Sequence, residues 1–162
     1  GEFFSLEQAR IVPVPDPPIP FYVGGRSDAA LRRAGRFAEG WLGAWCSSQR
    51  YLEALTVFDD AARKAGRDVD PDHGIQLWVG IGEDRAEAAS FVGPAMEGFY
   101  RVPFEKFERY TPHGTIDDIV DYLAPYLEAG CRHFNLTPVA TSTEAGIEAI
   151  GEVGDRLRRM AD

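Results

Sequence analysis

The chain has 162 residues, of which 44% are hydrophobic and 12% aromatic, and this is enough to build one globular domain with a core. Its 17 Lys and Arg residues against 26 Asp and Glu residues give a formal charge of -9, so it lacks the basic stripe that a nucleic-acid backbone requires. Because no apolar stretch could span a bilayer and no signal peptide opens the sequence, we expect a cytoplasmic protein that binds neither nucleic acid nor membrane.

Residues 1–20 predict a connector and not a domain. They hold five of the 11 prolines, and proline fixes φ and lacks the N–H donor that a strand inside a sheet needs. The segment before the first proline, residues 1–10, is too short and too mixed in composition to fold by itself. We therefore expect a proline-rich lead-in from a preceding half of the protein.

From residue 21 onwards, strand and helix patterns alternate. Four short runs rich in aromatic and β-branched residues predict strands at Phe21–Val23, Trp41–Trp45, Ile75–Ile81 and Cys131–Leu136, and we expect the first of them to be buried. Apolar residues three or four positions apart predict helices after them, with buried faces that include Phe37, Leu52 and Ile147. Four of these helices begin at the capping residues Ser27 or Asp28, Ser47 or Ser48, Asp84 and Thr115, and the last runs from about Thr143 to Met160.

The strand at Ile75–Ile81 is apolar at nearly every position, which is typical of a strand in a parallel sheet covered by helices. Alternating strands and helices predict an α/β fold, either open and doubly wound or closed into a (β/α) barrel. A complete eight-fold barrel takes about 250 residues, so four units would form half of one.

A weaker pattern separates the third helix from the fourth. We expect the third helix to end near Val92 and an irregular, partly helical insert to span about residues 93–113, which contain three prolines and several aromatic residues. The insert could cover a pocket or a partner surface. Pro125 lies inside the next helix and should kink it.

The residues that could perform chemistry are scattered. Cys46 and Cys131 are far apart and lack metal-ligand spacing, which predicts neither a disulfide framework nor a metal site. His73 precedes a strand, His113 is expected at the surface, and His133 is expected as a core residue of the last strand. No catalytic group can be assigned from these positions.

Gly24 and Gly25 stand between a strand and a helix start. Glycines at this position let the backbone approach an anion and direct free N–H groups towards it. The alternative is a tight turn that binds no ligand.

Six segments follow one another in order along the chain: residues 21–27 (Phe-Tyr-Val-Gly-Gly-Arg-Ser), 31–36, 40–42, 65–68, 114–118 and 126–134. In this order they resemble the carboxyl-terminal half of the bacterial luciferase-like monooxygenase family. The resemblance implies strands five to eight of a TIM barrel that binds a reduced flavin, either FMN or a deazaflavin coenzyme. The resemblance covers roughly residues 10–160. The expected carboxyl-terminal half-barrel spans residues 21–162, with the insert at about 93–113.

The resemblance also implies a cofactor site. Gly24, Gly25, Arg26 and Ser27 would hold the cofactor phosphate, and Trp45, Cys46 and Ser47 could contact the phosphate or the ring edge. The structural alternatives are core packing by Trp45 and helix capping by both serines. Cys46 has no nearby base that would make it a nucleophile.

The family implies an oxidoreductase or monooxygenase acting on a small-molecule substrate. Because strands one to four have no counterpart here, this chain is expected to be inactive alone and to associate with the missing amino-terminal half or with itself. The alternatives are a non-catalytic half-barrel that serves as a subunit or scaffold, and another phosphate-binding βα protein such as one with a flavodoxin-like sheet.

Overall fold

The structure is a computed structural model that describes residues 2–161. Residues 2–21 contain neither helix nor strand, and their side chains are exposed. Several of these side chains are large and apolar, among them Phe3, Leu6 and Ile11. Regular structure begins at Tyr22.

Five parallel strands form one sheet. They are β1 (Tyr22–Gly24), β2 (Gly40–Ala44), β3 (Gly74–Ile81), β4 (His113–Gly114) and β5 (His133–Val139). On one edge of β3, β2 pairs near its start and β4 pairs with its last two residues. On the other edge, β5 pairs with β3 from Gly74 to Gly80. β1 pairs with β2 and, within residues 2–161, with no other strand.

Five α-helices accompany the strands: α1 (Asp28–Phe37), α2 (Ser48–Lys64), α3 (Arg85–Tyr100), α4 (Ile116–Glu128) and α5 (Thr143–Ala161). Two short 3-10 turns, Phe104–Lys106 and Glu108–Tyr110, follow α3. The alternation predicted from the sequence is therefore confirmed, with one additional strand, the two-residue β4.

The main core lies between the sheet and the helices on one of its faces. Ile75, Leu77 and Val79 of β3 are fully buried and share a cluster with Phe58 of α2 and Leu123 of α4. On the opposite face, Gln76 of β3 is partly exposed and Asn135 of β5 is exposed. A second, smaller cluster around Val92, Met96 and Phe107 packs α3 and the 3-10 turns over the carboxyl ends of the strands.

Helix α3 departs from its predicted end. It continues through Pro94 to Tyr100, so the irregular segment is shorter than expected. A proline inside a helix removes one backbone hydrogen bond. Here Pro94 is exposed, while Val92 and Met96 on the buried side anchor the helix. α4 likewise continues through the exposed Pro125.

Three predicted core residues are exposed: Phe37 by 54%, Leu52 by 50% and Ile147 by 63%. For Phe37 and Leu52 the reason is that α1 and α2 pack closely at small residues. A Cβ on Gly35 of α1 would lie 2.3 Å from the carbonyl oxygen of Phe58 in α2, so α1 and α2 cross at this glycine. The small side chains of Ala34, Ala54 and Ala149 are buried on α1, α2 and α5.

The first strand and two histidines also differ from expectation. β1 was predicted to be buried, but it is an edge strand and Tyr22 is exposed. His133 is exposed at the start of β5 and not in the core, and His113 lies half-buried in β4. No helix of residues 2–161 has the length and apolar character needed to cross a membrane.

Candidate functional site

An open cleft of about 590 Å³ lies where β1 and β2 end. Its walls come from the two loops that follow these strands, from the first turn of α2 and from the insert. The lining residues are Arg26, Ser27, Trp41, Trp45, Cys46, Ser47, Arg50 and Tyr110. The carboxyl ends of parallel strands are where α/β proteins build their ligand sites.

Two helices begin at this cleft, and each is capped by a serine. The Ser27 hydroxyl accepts a hydrogen bond from the Ala30 N–H at 3.2 Å, and the Ser47 hydroxyl accepts one from the Arg50 N–H at 3.2 Å. The amino-terminal ends of α1 and α2 both carry a partial positive charge, which favours an anion. Each serine hydroxyl keeps its own proton for donation to a ligand.

The turn before Ser27 requires glycine. Gly25 has a φ of 122°, and a Cβ at this position would lie 2.8 Å from the Cβ of Ala30. Its carbonyl oxygen accepts a 2.7 Å hydrogen bond from the indole Nε1 of Trp41. Gly24 and Gly25 thus shape the loop but do not line the cleft.

Two guanidinium groups enter the cleft. The Nη1 of Arg26 donates to the carbonyl oxygen of Trp45 at 3.4 Å. The Nη2 of Arg50 donates to the Asp28 carboxylate at 2.8 Å and to the carbonyl oxygen of Arg26 at 3.3 Å. Arg50 is therefore partly neutralised by Asp28 and braces the β1–α1 loop, whereas Arg26 contacts no carboxylate among residues 2–161 within ion-pair distance.

Cys46 forms a buried part of the wall. It is 5% exposed, and burial raises the pKa of its thiol to about 11. At neutral pH the sulfur is therefore protonated and is not a nucleophile. The Tyr126 hydroxyl donates to the Cys46 carbonyl oxygen at 2.7 Å, which ties this loop to α4.

Aromatic residues complete the site. The Trp45 ring lies 5.0 Å from the Tyr100 ring and 4.9 Å from the Phe107 ring, measured between centroids. Tyr110, from the second 3-10 turn, lines the cleft itself. The insert therefore provides one wall of the cleft. Covering a pocket was one of the two roles considered for it from the sequence.

Of the seven residues predicted from the sequence, the structure brings five together: Arg26, Ser27, Trp45, Cys46 and Ser47. That they bind a cofactor stays a prediction. Sequence reasoning missed Trp41, Arg50 and Tyr110 as site residues. For Arg50 the sequence did contain a signal. A basic residue in the first turn of a helix opposes the helix dipole unless a nearby anion compensates its charge, so its presence there indicates a neighbouring anion.

A second polar cluster lies at the amino-terminal ends of the strands, away from the cleft. Asp72 contacts His133 Nε2 and accepts a 2.9 Å hydrogen bond from the Tyr22 hydroxyl. Burial raises the pKa of Asp72, but the hydrogen bonds from His133 and Tyr22 outweigh it and leave that pKa below its usual value. The cluster joins β1 to β5 and adds nothing to the cleft.

Comparison with known proteins identifies relatives. A family model described as luciferase-like monooxygenase matches residues 1–131. An F420-dependent glucose-6-phosphate dehydrogenase of Microbacterium testaceum (strain StLB037) is 30% identical over 183 aligned residues, covering 98% of this chain and 54% of that protein. The chain spans about half the length of the curated relatives it matches.

Solved structures share the fold. An F420-dependent secondary alcohol dehydrogenase in complex with an F420-acetone adduct superimposes with a TM-score of 0.78 at 20% identity, covering 94% of this chain and 53% of that one. The EDTA monooxygenase EmoA from Chelativorans sp. BNC1 gives a TM-score of 0.67 at 17% identity, covering 99% of this chain and 49% of that one. The α/β fold is thus a partial (β/α) barrel, as predicted from the sequence. Because the family model covers residues 1–131 of 162, the chain belongs to the luciferase-like monooxygenase family.

Proposed function

We propose that the cleft binds the phosphate of a deazaflavin coenzyme, F420, in an oxidoreductase of this family that acts on a small-molecule substrate. The observation that carries the proposal is the convergence of two serine-capped helix amino termini and the Arg26 guanidinium on one cleft. The curated relative at 30% identity is named for F420, which favours that cofactor. FMN is the alternative, because its phosphate would suit the same donors.

The cofactor would supply the redox chemistry, and the residues of this chain would bind and orient it. Arg26 would form a charge-assisted contact to a phosphate oxygen, and the hydroxyls of Ser27 and Ser47 would donate hydrogen bonds. Tyr110 would shield the phosphate from bulk water on the insert side.

We also propose that this chain works with the amino-terminal half of a family barrel and is inactive alone. The chain spans 54% of its relative at 30% identity, which supports this proposal. Among residues 2–161, β1 and β5 each have one unpaired edge. Self-association is the competing outcome, and a non-catalytic subunit or scaffold is the competing function.

The cofactor proposal is tested by the Arg26→Ala variant. We expect it to weaken binding of F420 and FMN by about tenfold to a hundredfold, because a hydrogen bond to a charged group contributes about 1.5–3 kcal/mol. Riboflavin, which lacks the phosphate, should bind equally well to both proteins. Binding is measured by fluorescence titration, with the amino-terminal half of a relative present and absent.

The matched control is Arg33→Ala, which removes an exposed arginine from α1 outside the cleft. This variant should bind both cofactors like the parent protein. If the parent protein binds neither F420 nor FMN under either condition, the flavin proposal is wrong and the scaffold interpretation replaces it.

A further inference from the structure

Trp45 has an unusual backbone conformation for its residue type. Its φ is 48°, in the left-handed region that bulky side chains rarely adopt. It lies in the loop between β2 and α2, directly beside the cleft. Such strain persists only where surrounding contacts hold it, and it is typical of functional sites.

This conformation lets one residue contact Arg26 twice. The Trp45 carbonyl oxygen accepts the hydrogen bond from Arg26 Nη1 at 3.4 Å, and the Arg26 Cζ lies 5.6 Å from the centroid of the Trp45 ring. The second distance falls within the range of a cation–π interaction. The otherwise exposed guanidinium is thus held by the main chain and the ring of the same residue.

The Trp45 ring is itself held in place by the end of α3 and by the 3-10 turns that follow it. It packs against Tyr100 at the end of α3 and against the buried Phe107, whose rings lie 5.1 Å apart. The Tyr100 hydroxyl accepts a 3.0 Å hydrogen bond from the indole Nε1 of Trp78 on β3. A continuous set of contacts therefore runs from Trp78 on β3, through the rings of Tyr100 and Trp45, to the Arg26 guanidinium.

We propose that Trp45 is a positioning residue that presets the Arg26 guanidinium for the anion bound in the cleft. An unrestrained arginine loses rotamer freedom when it binds a ligand, and presetting the side chain removes part of that cost. This inference rests on the proposed function of the cleft, and it assigns Trp45 no direct contact with the anion.

The test is a double-mutant cycle on the full chain, with FMN, F420 and riboflavin as probes. Trp45→Ala should weaken FMN and F420 binding by about threefold to fivefold, in line with the strength of a cation–π contact, because the substitution removes the ring and keeps the carbonyl oxygen. Trp45→Phe keeps an aromatic face and should stay within about twofold of the parent. In the Arg26→Ala background, Trp45→Ala should cause no further loss.

The Trp45→Gly variant distinguishes a loss of affinity from a folding defect. Glycine adopts the left-handed conformation without strain, so this variant should fold and should lose as much affinity as Trp45→Ala. Riboflavin affinity should remain unchanged in every variant.

Additive losses in the double mutant, or an equal loss of riboflavin affinity, would show that Trp45 acts independently of Arg26 and would overturn the inference. If Arg26→Ala weakens FMN and F420 binding but Trp45→Ala and Trp45→Gly do not, the positioning role fails and the proposed function stands. If the parent protein binds neither FMN nor F420, both fail.

Discussion

Arg26 and Arg50 reach the same cleft although they stand 24 residues apart in the chain. They differ in how free they are to meet an anion. Arg50 is held by the Asp28 carboxylate. Arg26 is held by the carbonyl oxygen and ring of Trp45 and pairs with no carboxylate among the described residues 2–161. At the scale of single residues, Arg26 is therefore the side chain on which anion affinity should depend most strongly.

We expect another residue, His73, to make the stability of the fold depend on pH. It is 3% exposed, and its Nδ1 accepts a 3.1 Å hydrogen bond from the Trp41 N–H, so the ring must be neutral in the folded state. Burial lowers the pKa of His73 below the ordinary value. Its contribution to stability is therefore fully present above the unfolded-state pKa of about 6.5 and is lost as the pH falls through the folded-state pKa.

We expect the free energy of unfolding, measured in urea between pH 8 and pH 5, to decrease towards the acid end. In His73→Asn the side-chain oxygen can accept the same hydrogen bond but does not titrate. This variant should show a smaller decrease over the same range, whatever its stability at pH 8. Equal slopes for the two proteins would contradict the assignment.

At the scale of elements, helix starts are set by short-range hydrogen bonds. Thr115 and Asp118 form a reciprocal capping box at the start of α4: the Asp118 N–H donates to the Thr115 hydroxyl, and the Asp118 carboxylate accepts from the Thr115 N–H. Arg85 also donates to this carboxylate, and together these contacts lower the pKa of Asp118 to about 2. The box thus remains ionised and intact at neutral pH.

Thr115→Ala should lower the free energy of unfolding by about 1 kcal/mol, because the substitution leaves the N–H of Asp118 without its partner. Thr141→Ala is the matched control, since this exposed threonine lies outside the helices and should change stability little. Chemical denaturation of the three proteins measures the difference. Equal stabilities would show that the cap contributes nothing.

At the scale of the whole molecule, the main core lies on one face of the sheet. Helices bury Ile75, Leu77 and Val79 on one face of β3, while Gln76 and Asn135 on the other face remain at least partly exposed. Free strand edges are sites where further strands can pair. This architecture supports the proposed need for the other half of a barrel.

We expect the chain to form a one-to-one complex when mixed with the amino-terminal half of a family relative, detected by light scattering at micromolar concentration. The free edges of β1 and β5 would pair with the added strands. An unrelated half-barrel is the control and should not bind. A stable monomer that forms no complex with the added half would refute the proposal. A homodimer would indicate self-association instead.

Much of this architecture could be predicted because its signals are local. Periodicity predicted the alternating strands and helices, and capping residues marked four helix starts. Side-chain hydrogen bonds confirm Asp84 and Thr115, and they select Ser27 over Asp28 and Ser47 over Ser48. Parallel pairing brings the ends of β1 and β2 to one edge of the sheet. The sequence could therefore predict that Arg26 and Ser27 would lie near Trp45, Cys46 and Ser47.

The sequence by itself determined the α/β alternation, the helix starts and the two loops of the cleft, because these depend on interactions between neighbours in the chain. The tertiary structure alone decided that Phe37 and Leu52 are exposed, that α3 continues through Pro94, and that Tyr110 reaches the cleft. These outcomes depend on how closely helices pack and on where the insert crosses the strand ends. No pattern of adjacent residues encodes such distances, since they arise only when segments far apart in the chain compete for the same surface.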